Sequence, residues 1–465
     1  MTRTNRTPWA RLALGIAVPL ALLGACASDP GAPAATTSTP PATVTEPATE
    51  QAAAKPRLAV TYAGGVQVLD ATTLEVLADI PVDGYVRLNA AGDGRHALVS
   101  TSRGFEVLDL GTWSEAHGDH AHHFTSAPHL TGAVYPAQKP GHVVVHDGRT
   151  ALFDDGTGAI VVVDSSDVAA GPDGAEGARR LTTPTAHHGV AVELDDGSLV
   201  VSDGTAEERM SVRLLDAAGA EAARTDACPG VHGEAVAQGD AVLIGCEDGA
   251  VLVRDGEIAK IDSPDAYGRI GNQAGSHSST VVLGDYKSDP DAELERPTRV
   301  SLIDTQDATL TLVDLPASYT FRSLERADDG AALVLGTDGV IHVIDPEKAQ
   351  VTTSVPVIDA WEEPLEWQQP RPAIRALDGS VYVTDPATRR ILAVDVETGK
   401  VWREATLDVV PDEIVGVTGE APEVHDEDRA DEDHADGGHV DGAHEDAAHE
   451  DAAQEDAAHE GHDHD

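Results

Sequence analysis

Eight short β-branched runs, each closing on an aspartate and spaced about 40 to 55 residues apart, predict an all-β chain folded as a single β-propeller. The runs are Val66–Asp70, Phe105–Asp109, Ile160–Asp164, Val212–Asp216, Val251–Asp255, Val300–Asp304, Ile341–Asp345 and Ile391–Asp395. A second observation is the text around them. Each run follows a strand with a glycine-containing turn, as in Ala331–Gly339, and most are followed by a turn and another strand, as in Val396–Val401. The third is negative: no stretch of the body carries a sustained 3.6-residue apolar period, so helices are expected to be few. Eight copies favour eight blades, with seven remaining if one copy belongs to an insertion. The terminal aspartate is read as a turn-forming residue, since its carboxylate caps the backbone N–H groups two or three residues on.

In chain order, the first element is an export signal. Arg3, Arg6 and Arg11 precede the apolar stretch Leu12–Leu23, which is too short to span a bilayer. It ends in Leu23-Gly24-Ala25-Cys26, which resembles the bacterial lipobox, and that resemblance implies cleavage before Cys26 and lipid attachment to its thiol. Residues 1–25 are thus expected to be removed, leaving an extracytoplasmic protein held at the membrane only by a lipid anchor. Residues 26–56 are rich in Pro, Ala, Thr, Ser and Glu without periodicity and read as a disordered linker. The propeller is placed at 57–418. With Cys26 set aside, Cys228 and Cys246 form an even pair, read as a disulfide in an oxidising compartment, with thiolate ligation of a metal as the alternative.

Residues 419–465 read as a disordered acidic tail with eight histidines, among them His434, His439, His444, His449, His459, His462 and His464. A solubilising role accounts for the carboxylates but not for the imidazoles. Together the two donor types make weak, exchangeable sites for borderline ions such as Zn²⁺. The formal net charge of −50 repels phosphate backbones and excludes nucleic acid as a partner.

Histidines outside the tail are unevenly placed. The densest cluster is His117-Gly118-Asp119-His120-Ala121-His122-His123. In extended chain His120 and His122 share a face, and His117 folds back over them around Gly118. Asp119 is read as a ligand or as an acceptor for an imidazole N–H. His142 and His146 are four apart in strand-like text and so share a face, while His187-His188 and His232 open later strand-like runs. In a propeller, residues that lead into the innermost strands gather on the axis. The expectation is that His187 or His188 and His232 meet the 117–122 loop at one mouth of the channel.

These segments, His117–His122, His142–Arg149, His187–Val192 and Cys228–Ala235, together resemble the bacterial zinc metallochaperones of the AztD type. The resemblance spans roughly residues 57 to 410. It implies an extracytoplasmic β-propeller that binds Zn(II) and passes it to the solute-binding protein of a zinc ABC importer. The ligand set it implies is His117, His120, His122, His187, His188 and His232, with His142 and His146 secondary. The chain departs from family members that carry a His-rich segment at the N-terminus, since here that composition lies at the C-terminus. Two other classes are compatible with a propeller, a metal- or quinone-dependent enzyme and a pure interaction scaffold. Neither a G-x-S-x-G elbow nor a cofactor signature is present.

Overall fold

The computed structural model describes residues 47–118 and 120–420. The signal segment, Cys26, Asp119 and the histidines after Glu420 lie outside the described residues. Eight sheets of four antiparallel strands follow one another along the chain, the fifth extended by a short parallel strand, Gly268–Arg269. Each of the eight aspartate-terminated runs is the third strand of one sheet or ends just past it, so the repeat count and the blade count agree. Six of the eight aspartates cap backbone N–H groups two or three residues on, as the turn chemistry predicts. Asp70 Oδ1 accepts from the backbone N–H groups of Thr72 and Thr73, Asp304 Oδ1 from Gln306 and Asp307, and Asp345 Oδ1 from Glu347 and Lys348.

Numbered from the first strand of the body, the innermost strands of blades 1 to 8 are Ile414–Val417, Arg87–Ala90, Pro140–His146, Ala191–Glu193, Glu234–Ala237, Gln273–Ala274, Leu324–Arg326 and Ile374–Leu377. Blade 1 is assembled from both ends of the body: Ile414–Val417 pairs antiparallel with Arg57–Val60. Fourth strands such as Lys400–Thr406 are largely exposed, whereas the second and third strands are buried on both faces.

Burial on both faces explains the packing. Alternate residues of a strand point to opposite sides of the sheet, so each blade feeds two neighbours. Leu58 and Val60 join the core shared with blade 8, and Ala59 between them joins the core shared with blade 2. Ala332 and Val334 face blade 6, while Leu333 and Leu335 face blade 8. Seven apolar clusters link the blades in sequence, and the one between blades 8 and 1 closes the circle. With each fully buried Val, Leu or Ile contributing about 1.5–3 kcal/mol, this ring of aliphatic cores stabilises the fold with few aromatic residues.

Two features differ from the sequence expectation. Thr49–Gln51, within the segment read as linker, is a strand that pairs with His123–Thr125. Its partner is the second arm of a hairpin, Thr112–His117 and His120–Thr125, inserted between the third and fourth strands of blade 2. The exposed edge of that hairpin offers unpaired backbone groups, and the Thr49–Gln51 backbone satisfies them despite its polar composition. At the other end of the body, Ser114 Oγ of the same hairpin donates to Gly419 O at 2.7 Å. A 3₁₀ turn at Ser165–Ala170 is the one helical element among the described residues, and no described helix is long and apolar enough to cross a membrane.

Candidate metal centre

The inner strands all run from one mouth of the channel to the other, so their leading residues collect at a single rim. Blades 3, 4 and 5 contribute His142, His188 and His232 there. The three imidazoles converge through their Nε2 atoms: His142 to His188 at 3.2 Å and His188 to His232 at 3.3 Å. One donor atom from each lies within 4.8 Å of the other two. Each ring is half-buried.

Their opposite nitrogens are held from behind. His188 Nδ1 bonds Asp155 Oδ2 at 2.6 Å, and His232 Nδ1 donates to Gly271 O at 2.6 Å. Glu234 Oε2 lies 2.9 Å from His142 Nδ1, close enough for an ion pair though not aligned as a hydrogen bond. With Nδ1 bearing the proton, Nε2 presents its lone pair, and the ring orientation is set by the acceptor behind it.

The local sequence makes room for this arrangement. A Cβ on Gly141 would stand 2.1 Å from Asp155 Oδ1, so the residue before His142 must be small for Asp155 to reach His188. Gly233 has φ +74°, a conformation costly for other residues, and it turns the chain directly after His232. The loop before it is pinned by the Cys228–Cys246 disulfide, both sulfurs being fully buried in the core of blades 3 to 5. The even cysteine pair is therefore a crosslink and not a thiolate ligand. His232 N–H donates to Gly245 O, next to Cys246, and so ties the ligand-bearing loop to the same strand.

Electrostatics separate the three rings. Burial works against charge on His142, but Glu234 and then Asp155 outweigh it and raise its pKa above the ordinary histidine value. Burial, reinforced by repulsion from His142 and His188, holds His232 well below that value and therefore neutral. The rest of this rim is paired charge. Arg322, leading into blade 7, bonds Glu413 Oε1 at 2.9 Å and Tyr85 Oη at 3.0 Å, with Asp412 also in contact.

The hairpin carries a second trio. His117 and His120 pair directly across the turn, and His122 shares their face, so the three rings sit 5.0–5.4 Å apart. His117 Nδ1 and His122 Nε2 are 3.3 Å apart, and His122 Nδ1 bonds Glu50 Oε1 at 2.8 Å. His117 and His120 are exposed and His122 is half-buried.

Three expectations from the sequence change. The trio on the axis is completed by His142 and not by the 117–122 loop, which forms a group of its own. His142 and His146 lie toward opposite ends of one inner strand, and each joins a different group. His187 joins neither. It is 1% exposed, its Nδ1 donates to Thr185 O at 2.9 Å, its Nε2 bonds Ser202 Oγ at 3.0 Å, and its ring packs on Phe153, so both nitrogens serve the core. Adjacent residues at a strand's start point opposite ways, and His188 is the one turned to the channel. Asp155 and Glu234 were missed in the sequence. Only their positions, beside Gly156 in a turn and two residues after His232, hinted at them.

No family model matches the chain. It is 28% identical over 374 residues to the zinc chaperone AztD of Citrobacter koseri (strain ATCC BAA-895), an alignment covering 78% of this chain and 86% of that protein. The crystal structure of Citrobacter koseri AztD matches with a TM-score of 0.68 at 26% identity, over 79% of this chain and 98% of that one. Apo AztD from the same organism matches with a TM-score of 0.67, at 26% identity over 78% and 98% of the two chains. In sequence and in fold, the chain is similar to AztD.

Proposed function

We propose that this AztD-like propeller is an extracytoplasmic zinc chaperone whose cargo is held by His142, His188 and His232. The observation that carries the reading is the Nε2 spacing of 3.2 and 3.3 Å. A tetrahedral ion with Zn–N bonds of about 2.0–2.1 Å needs its nitrogens about 3.3–3.4 Å apart. Two of the three nitrogen pairs of the trio stand at about that separation, and the donors of all three lie within 4.8 Å of one another. Asp155, the Gly271 carbonyl and Glu234 then fix the rings, which is how metal-bound imidazoles are generally supported.

Three protein ligands leave a fourth position open, and the half-buried rim gives access to it. Such a site exchanges its ion for a partner's donors more readily than a closed four-ligand cage. Neutral imidazoles also release metal on protonation. The recipient we propose is the zinc-specific solute-binding protein of an ABC importer, with His117, His120 and His122 of the hairpin and the histidines of residues 421–465 acting as weaker collecting sites. Asp119 and lipid attachment at Cys26 complete the proposal, the latter placing the carrier at the outer face of the membrane. The name of the relative, a zinc chaperone, supports a carrier over a catalyst.

The test is competitive zinc titration of the full chain against a chelator, followed by transfer to a purified zinc solute-binding protein. His188→Ala is expected to abolish the tightest class of site and the transfer while leaving the weak classes in place. Unchanged tight binding in that variant overturns the assignment.

A further inference from the structure

The strands that bring His142, His188 and His232 to one rim carry a different set of donors to the other. His146 is the last residue of the blade 3 inner strand, Asp195 follows that of blade 4, and Asp240 follows that of blade 5. His146 Nε2 bonds the Asp240 carboxylate and lies 3.4 Å from Asp195 Oδ1. One donor atom from each of the three falls within 4.8 Å of the others.

His146 is only 6% exposed, and its Nδ1 has no hydrogen-bond partner. Its ring is stacked on His277, which follows the inner strand of blade 6, with centroids 5.8 Å apart and planes 7° from parallel. Asp147, in the turn next to His146, adds a third carboxylate close enough to act on Asp195 by charge.

One imidazole N–H can neutralise the interest of one carboxylate in it. Here two carboxylates close on the same nitrogen, with a third beside them, and like charges at this range repel. A divalent cation at their focus converts the repulsion into coordination, and His146 Nε2, which both carboxylates face, supplies a further donor once the ring proton sits on Nδ1. We propose that His146, Asp195 and Asp240 form a second divalent-cation site at the mouth of the channel opposite the histidine trio.

The donor set is harder than three imidazoles, so it accepts Mn²⁺ as well as Zn²⁺ and holds Zn²⁺ less tightly. Four residues of extended strand separate His142 from His146, which puts the two sites about 13 Å apart. The site goes beyond the chaperone reading and does not depend on it, since it stands even if the histidine trio transfers nothing.

The experiment is anomalous diffraction on crystals of the full chain equilibrated with Zn²⁺, measured on both sides of the zinc edge. A peak among His146, Asp195 and Asp240 is expected in the native chain and in His188→Ala. In an Asp195→Asn, Asp240→Asn double variant that peak is lost while the one at the histidine trio stays. In solution, Mn²⁺ titration followed by electron paramagnetic resonance is run on His188→Ala with and without Asp240→Asn. The second substitution is expected to weaken the strongest Mn²⁺ class by at least about tenfold. No anomalous peak among the three residues, or Mn²⁺ binding untouched by Asp240→Asn, overturns the proposal and leaves a plain His146–Asp240 ion pair. A peak at this mouth with none at the trio instead overturns the chaperone assignment and leaves this one standing.

Discussion

The rim trio and the hairpin trio have the same three ligand atoms in prospect and opposite mechanical support. His142, His188 and His232 come from three blades, each fixed to its neighbours by a continuous aliphatic core, and each has an acceptor at or near its second nitrogen. His117, His120 and His122 come from one hairpin at the surface, where Glu50 braces His122 from outside it. Imidazoles held by separate rigid elements lose little freedom when they bind an ion, whereas exposed side chains must be ordered at that moment. On the proposed reading, histidine density in the sequence marks weak capture, while tight binding follows from the supporting framework.

The comparison breaks most sharply on His188, which touches both other members of its trio. His188→Ala should weaken the tightest zinc class by more than about a hundredfold, and His117→Ala should leave it unchanged, both read by chelator competition. Next in size is the support. Asp155→Asn, or Gly141→Ala, which drives a methyl into Asp155, should cost about 10–100-fold in zinc affinity with the fold intact by circular dichroism.

The crosslink comes third. Cys228→Ser with Cys246→Ser should lower stability by about 3 kcal/mol in denaturant titration and weaken zinc binding through a loosened His232 loop. A smaller effect belongs to pH. Because Glu234 raises the His142 pKa, protons compete with zinc already at pH values above the ordinary histidine range, and affinity falls as pH drops through that titration. Glu234→Gln removes the raising charge, so the pH at which zinc is released should move down, as measured by affinity across a pH series. Smallest of all, Glu50→Gln should change only the weak exposed class, by a few-fold.

Much of this architecture was legible beforehand, and the reason is local. The aspartate-terminated runs encode strand and turn within a few residues, so Val66–Asp70 and its seven counterparts announced the third strand of every blade. The hairpin trio was equally readable, since His117, His120 and His122 are neighbours in sequence. What joins across blades was not. The choice of His188 over His187 rests on which way a strand's first residues face, and the replacement of the hairpin by His142 rests on where three leading ends meet in space. His187 was read as a ligand because a paired histidine looks like chemistry, yet Ser202 and Phe153, distant in sequence, make it a core residue. Asp195 and Asp240 sit in turns, where aspartate is expected for backbone reasons alone.

The hydrogen bond from Ser114 to Gly419 sets where the chain departs from the propeller. Gly419 is thus held against the very hairpin that displays His117, His120 and His122, and the Thr49–Gln51 strand pairs with that hairpin's other arm. On the proposed reading, an ion passed between the histidines that follow in the sequence and the hairpin would move within one molecule, at a rate indifferent to how dilute the protein becomes.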